Sequence, residues 1–192
     1  MDEDRRRVDE MSAGAIAVTA PIGELERVFQ AHHGRVFRAA YRITGNASDA
    51  EDVLQTVFLR LLRQGWAASS ASHLEGYLQR ASVNAALDIV RARGRALKAP
   101  LEEAASATDS RLRPDRGQDA KELRDCLRQA IARLAPKAAE IFVLRYFEDH
   151  DNQEIARLLG TSVSDVSVSL HRSRTRVQQD ILRFLGDKYE HR

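Results

Sequence analysis

Cysteine is almost absent from this chain: its 192 residues include one, Cys126. A single thiol excludes an intramolecular disulfide and fits a reducing compartment. Set among Leu123, Leu127 and Ala130, it reads as a buried, inert side chain. Aromatic residues are scarce at 6%, against 43% hydrophobic residues overall, so any core is aliphatic and modest. No apolar run approaches the roughly 20 residues that span a bilayer. The opening MDEDRRRVDEM lacks the hydrophobic stretch of a secretion signal. A soluble, cytoplasmic protein, not itself a membrane protein, is expected. One-sided charge is missing too. The formal net charge is +2 with a pI near 8.9, so only the distribution of charge can point to nucleic acid. The histidines and carboxylates show no triad, metal-ligand or phosphate-loop spacing. This argues against an enzyme and suggests no catalytic residue, metal or cofactor. Adjacent His32 and His33 would project about 100° apart on a helix and make a poor ligand pair.

What is present is helical periodicity. Residues 1–22 alternate charge with small residues up to Pro21 and read as a disordered arm. Leu25, Val28, Phe29, Val36, Phe37, Ala40 and Tyr41 predict a helix interrupted at His32, His33 and Gly34 and closed by Gly45 and Asn46. A second helix is expected from Ser48 to Gln64, with Ser48 and Glu51 at capping-box spacing. Val53, Leu54, Val57, Phe58, Leu61 and Leu62 form its buried stripe. Its acidic start, Asp49, Glu51 and Asp52, suits the helix dipole and equally an acidic docking edge for a basic partner. Residues 65–73 form a small-residue loop that carries the only tryptophan. The third helix, residues 74–95, packs through Leu74, Leu78, Ala81, Ala85 and Ile89. Arg80, Asn84, Arg91 and Arg95 track along another side, preceded by Tyr77. That side is either a groove for a nucleic-acid backbone with a ring for stacking, or a solvated helix end steadied by cations.

Residues 97–118 lose periodicity, gain prolines and small polar residues, and read as a flexible linker. Beyond it, Leu123, Leu127, Ile131 and Leu134 mark one helix face, and Pro136 opens another helix that Ala138, Ile141, Phe142 and Leu144 to Tyr146 pack. From Asp151 to Gln179 the pattern is a helix-turn-helix. Asp151 and Glu154 stand at capping-box spacing, Gly160 stops the first helix, and Ser162 offers a cap to the second. Val166, Leu170, Val177 and Ile181 form the inner stripe of that second helix, while His171, Arg172, Arg174, Thr175 and Arg176 lie off it. Such a helix either fits the DNA major groove or belongs to an ordinary helical hairpin with a solvated charged face. The expected fold is all-α: two small helical domains joined by a flexible linker, the C-terminal one carrying the helix-turn-helix.

Three segments, DAEDVLQTVFLRLL at 49–62, YLQRASVNAALDIVRAR at 77–93 and IFVLRYFEDHDNQEIARLLGTSVSDVSVSLHRSR at 141–174, together resemble the sigma factors of bacterial RNA polymerase. The resemblance is to the extracytoplasmic-function (ECF) group of the sigma-70 family and covers about 24–95 and 119–185. It implies that residues 23–96 bind core polymerase and the promoter −10 element, and that residues 119–188 read the −35 element. By motif match, Asp49, Glu51, Asp52, Gln55 and Phe58 would grip the polymerase β′ clamp. Tyr77, Arg80, Asn84, Asp88 and Arg91 would hold unpaired −10 bases, and Ser164, Ser167, Val168, His171, Arg172 and Arg174 would face the −35 duplex. The linker would thread toward the active site and RNA exit channel.

Two departures stand out. Ser167, Val168 and Ser169 occupy positions where many relatives carry a basic residue, serine and arginine, and Asp165 adds a negative charge. This shifts the load toward His171, Arg172 and Arg174. Tyr77 replaces a frequent tryptophan. The implied partners are core polymerase through its β′ and β subunits, promoter DNA and an anti-sigma factor, the chain being a monomer when free. The alternative is a stand-alone dimeric helix-turn-helix regulator, which would bind duplex half-sites without polymerase.

Overall fold

The structure, a computed structural model, describes residues 22–64, 71–96 and 116–190. Among these all regular structure is helical: α1 (Ile22–Thr44), α2 (Ala47–Gln64), α3 (Ala71–Ala96), α4 (Arg116–Ala132), α5 (Pro136–Tyr146), α6 (Asn152–Leu159) and α7 (Val163–Glu190). The expected arm up to residue 21, the tryptophan loop at 65–70 and the linker at 97–115 lie outside the described residues. Ile22 already belongs to α1, Ala71 to α3, and residues 116–118 to α4.

Helices α1–α3 close on an aliphatic core of Val36, Ala40 and Ile43, Val53, Val57 and Leu61, and Leu78, Val83, Leu87 and Val90. Contrary to the expected interruption, α1 runs unbroken through His32, His33 and Gly34. His33 stacks on Phe29 at 5.1 Å between ring centroids, and Phe29 meets Phe58 edge-on at 5.0 Å. One interior glycine costs a helix only about 1 kcal/mol, which these contacts outweigh. Phe29 and Tyr41 themselves lie at the margin, 37% and 48% exposed. Gly45, at φ 67°, ends α1. Asn46, rather than Ser48, then caps α2: its Oδ1 accepts from the Asp49 amide at 3.1 Å, so the helix begins at Ala47.

The second group builds on α5, which opens at Pro136 and buries Ala139, Ile141, Phe142, Val143 and Leu144. Ile155 and Ala156 of α6 and Val166, Leu170 and Val177 of α7 complete this core. Tyr146 and Leu123 are exposed, at 40% and 39%, where burial was expected. The Tyr146 ring leans on Phe142 from the rim, and Leu123 sits on the outer side of α4. Lys188, near the end of α7, clamps Asp119 and Glu122 at 2.6 Å each and so fixes that end to the start of α4. Cys126 is half-buried, and burial pushes its thiol pKa up, which keeps it protonated.

The two groups meet along α3, which lies against α4 and α5. At this seam, helix C-terminal carbonyls of each half are met by arginines of the other. Arg128 donates to Ile43 O at 3.1 Å, and Arg42 to Phe147 O at 3.0 Å. Arg91 donates to Ala132 O at 3.1 Å, and Arg80 to Leu158 O at 3.5 Å. Unpaired carbonyls and the negative dipole end attract a cation at each place.

Candidate nucleic-acid interface

The helix-turn-helix owes its shape to local capping. Asp151 Oδ1 accepts from the Glu154 amide at 2.7 Å, and Glu154 Oε2 accepts from the Asp151 amide at 2.8 Å, a complete capping box. Gly160 closes α6 at φ 59°, and Ser162 Oγ accepts from the Asp165 amide at 3.0 Å to start α7. Val166, Leu170 and Val177 anchor α7, which leaves Ser164, Val168, His171, Arg172 and Thr175 exposed on its outer side at i, i+4, i+7, i+8 and i+11. Ser167 and Arg174 flank that face and are turned to neighbours. Ser167 donates to Val163 O at 2.9 Å and accepts from Asn152 Nδ2 at 3.1 Å. Arg174 donates to the Tyr146 hydroxyl at 2.7 Å, its guanidinium 5.9 Å from the ring centroid. The Asp165 carboxylate accepts from the Thr161 hydroxyl at 3.3 Å, and the Ser162 hydrogen bond holds its pKa below the usual range. Its charge is thereby drawn back over the turn.

On α3, Tyr77, Arg80, Asn84, Asp88 and Arg91 fall at spacings of three and four and so share one stripe. That stripe faces the second group of helices. Arg80 Nε and Asn84 Nδ2 both donate to Glu140 Oε1 at 3.1 Å, and Arg91 Nη1 donates to Asp88 Oδ1 at 3.2 Å. Beside Glu140 opens a cleft of about 810 Å³ whose lining includes Arg60, Tyr77, Arg80, His150, Arg157 and Leu158. Half-burial pushes the Tyr77 phenol pKa up, against the pull of Arg60. Guanidinium groups and imidazole beside an aromatic ring suit a flat, negatively charged ligand such as a nucleic-acid strand. Sequence reasoning missed Glu140, Arg60 and Arg157 here. An acidic residue inside the apolar run AAEIFVL was the available signal for Glu140.

The five residues expected at the acidic edge separate. Glu51, Asp52 and Gln55 are exposed on α2. Phe58 is buried against Phe29. Asp49 is buried, its Oδ1 accepting from Arg93 Nη2 at 2.6 Å while Oδ2 pairs with the same guanidinium without an aligned hydrogen bond. Burial raises the Asp49 pKa, partly offset by Arg93. Among the described residues no helix is long and apolar enough to cross a membrane, and no cluster of His, Cys, Asp and Glu is placed to hold a metal.

Comparison with known proteins gives matches in both helical groups. The family model for sigma-70 region 2 matches residues 28–96, and that for sigma-70, region 4 matches residues 124–177. The chain is 32% identical over 156 residues to the ECF RNA polymerase sigma factor SigE of Mycolicibacterium smegmatis, covering 80% of this chain and 60% of that protein's length. It is 29% identical over 160 residues to the RNA polymerase sigma-E factor of Streptomyces avermitilis, covering 82% and 85%. A structural match, at TM-score 0.48 and 16% identity over 84% of this chain and 98% of the other, is the sigma factor RpoE co-crystallised with the anti-sigma factor NepR from Bartonella quintana.

Proposed function

Because the chain belongs to the sigma-70 family, in its extracytoplasmic-function group, we propose that it binds core RNA polymerase in the cytoplasm and directs promoter-specific initiation without catalysis of its own. One observation carries the reading: both family regions occur in order on one chain. In this reading residues 23–96 form the polymerase- and −10-binding unit, and residues 119–188 the −35 reader. The ridge of Glu51, Asp52 and Gln55 docks on β′, supported from beneath by Phe58, whose burial fits a positioning role. Asp49 shapes that ridge through Arg93 rather than touching polymerase directly.

The −35 duplex is met by Ser164, Val168, His171 and Arg172, with Ser167 and Arg174 at the margins. The −10 strand is met by Tyr77, Arg80, Asn84 and Arg91, with Asp88 orienting Arg91. An anti-sigma protein that covers the polymerase-binding surfaces holds the chain inactive as a monomer. Run-off transcription with purified core on genomic promoter fragments tests this, with start sites mapped. Specific starts that depend on the added chain are expected. A stable dimer that binds duplex equally well without core would favour a stand-alone regulator instead.

A further inference from the structure

We propose that the cleft between α3 and α6 binds a free nucleoside triphosphate, its base laid on Tyr77 and its phosphates held between Arg60 and Arg157. The inference goes beyond the reading above and shares with it only Tyr77 as a stacking surface. The lining of this cleft is short of negative charge. Among its described residues the single carboxylate is Glu154. That group is already committed, accepting from the Asp151 amide at 2.8 Å and lying 3.4 Å from His150 Nδ1. Arg80 is matched from outside the lining by Glu140 at 3.1 Å. Arg60 of α2 and Arg157 of α6 border the same cleft, and neither side chain has an ion-pair or hydrogen-bond partner among the described residues. Two unmatched guanidiniums facing one cavity repel each other, and an anion between them turns that repulsion into attraction.

Size and lining select among anions. At about 810 Å³ the cleft far exceeds what a bare phosphate fills, and it falls within the range of about 300–1,000 Å³ typical of small-molecule sites. Beside the cations stand Tyr77, Ala81 and Leu158, an apolar floor on which a base can lie. Gly76 keeps that floor open, since a Cβ there would lie 3.0 Å from Leu158 Cδ1. Both contacts of Glu154 use Oε2, which leaves Oε1 to accept from a sugar hydroxyl. The placing of the cations favours a free nucleotide over a strand. A strand needs cations in file along its backbone, as Arg80 and Arg91 stand on α3. Arg60 and Arg157 come instead from two other helices, one in each half of the chain, and converge on a ligand of a single nucleotide's length.

The test is equilibrium dialysis of the full chain, without polymerase, against radiolabelled ATP, GTP, CTP or UTP. Inorganic tripolyphosphate, added as a competitor, tells a nucleotide site from a bare anion site. One nucleotide per chain is expected, with tripolyphosphate at least about tenfold weaker as a competitor than unlabelled nucleotide. Arg60→Ala and Arg157→Ala should each weaken binding about tenfold, with circular dichroism confirming that both fold. Tyr77→Phe should keep the affinity, because the ring remains, and Tyr77→Ala should lose it. No saturable binding of any nucleotide, an affinity unmoved by the two arginine variants, or tripolyphosphate competing as well as ATP would each overturn the proposal. A labelled single DNA strand of about 12 nucleotides forms a second arm. Strand binding that displaces nucleotide and falls equally with Arg157→Ala would assign the cleft to nucleic acid and overturn it too. Titration of labelled core in nucleotide-free buffer keeps the two readings apart. Core bound without nucleotide binding sinks this inference alone, and nucleotide bound by a chain that ignores core upholds it while sinking the functional reading.

Discussion

Single residues show how far type and position diverge from role. Asp49 and Asp52 are both acidic residues in the first turns of α2, yet one is buried against Arg93 and the other is exposed. Asp49 has a folded pKa above its unfolded value, so its stabilising contribution is present at low pH and lost as pH rises through the folded value. At neutral pH its ionised form is a net cost that Arg93, itself half exposed, offsets only in part. Asp49→Asn should therefore hold or raise the melting temperature near pH 7, and the wild type should gain on the variant toward about pH 4. A steep loss at neutral pH would mean that the ion pair outweighs burial. Core affinity should move little with Asp49→Asn and fall clearly with the Asp52→Ala, Gln55→Ala pair. On α7, Arg172 projects outward while Arg174 is held on Tyr146. Arg172→Ala should lower promoter-specific initiation by about 1–3 kcal/mol if it reads a base edge, measured as run-off yield against promoter concentration, and unchanged yield would remove it from the interface.

Elements were legible in the sequence where their causes are local. The Asp151–Glu154 capping box, the Gly160 stop, the Ser162 cap and Pro136 at the start of α5 each act within about four residues, and each is found as expected. Misreadings occur where a tertiary contact competes with a local signal. The His32, His33 and Gly34 run does not break α1 because Phe29 and Phe58 pack across it, and Asn46 takes the cap from Ser48 because Gly45 has already turned the chain. The far end of α7 is governed from outside too, by its clamp on α4. Lys188 has its pKa raised by Asp119 and Glu122, and Glu122 has its pKa lowered chiefly by Lys188. The Glu122 contribution is present above its unfolded pKa and lost as pH falls through the folded one. The Lys188 contribution is present below its unfolded pKa and lost as pH rises. The clamp is therefore whole between about pH 4.3 and about pH 10.4. Hydrogen exchange, corrected for intrinsic rates, should show residues 182–190 losing protection near pH 3 before the amides around Val166 and Leu170 do. Simultaneous loss would show that the clamp does not govern this end.

At the scale of the molecule, the hydrogen bonds of the seam join residues 41 to 106 positions apart in the chain, and no local pattern announces such contacts. Their sum decides whether the chain can act as a switch. Keeping an open form near one per cent takes about 2.7 kcal/mol, half of what a shift from 1:99 to 99:1 requires. Arginines on helix C-terminal carbonyls contribute about 0.3–1 kcal/mol each, and charged hydrogen bonds such as those on Glu140 about 1.5–3. The buried, unmatched Arg91 Nη2 subtracts about 1–3. The seam is thus held by individually modest contacts, within reach of a partner that binds only the separated halves. For such a partner the apparent dissociation constant is the intrinsic one divided by the open fraction. Arg42 tests this cleanly, because it touches none of the residues assigned to polymerase or DNA and contributes only Phe147 O and Glu148 contacts to the seam. Arg42→Ala should remove about 1 kcal/mol of closure, raise the open fraction about fivefold and tighten core binding by the same factor. Titration of labelled core measures the affinity and small-angle scattering the expansion. Expansion with no gain in core affinity would mean that polymerase takes the closed form as readily as the open one, and that opening is not part of what polymerase binding must overcome.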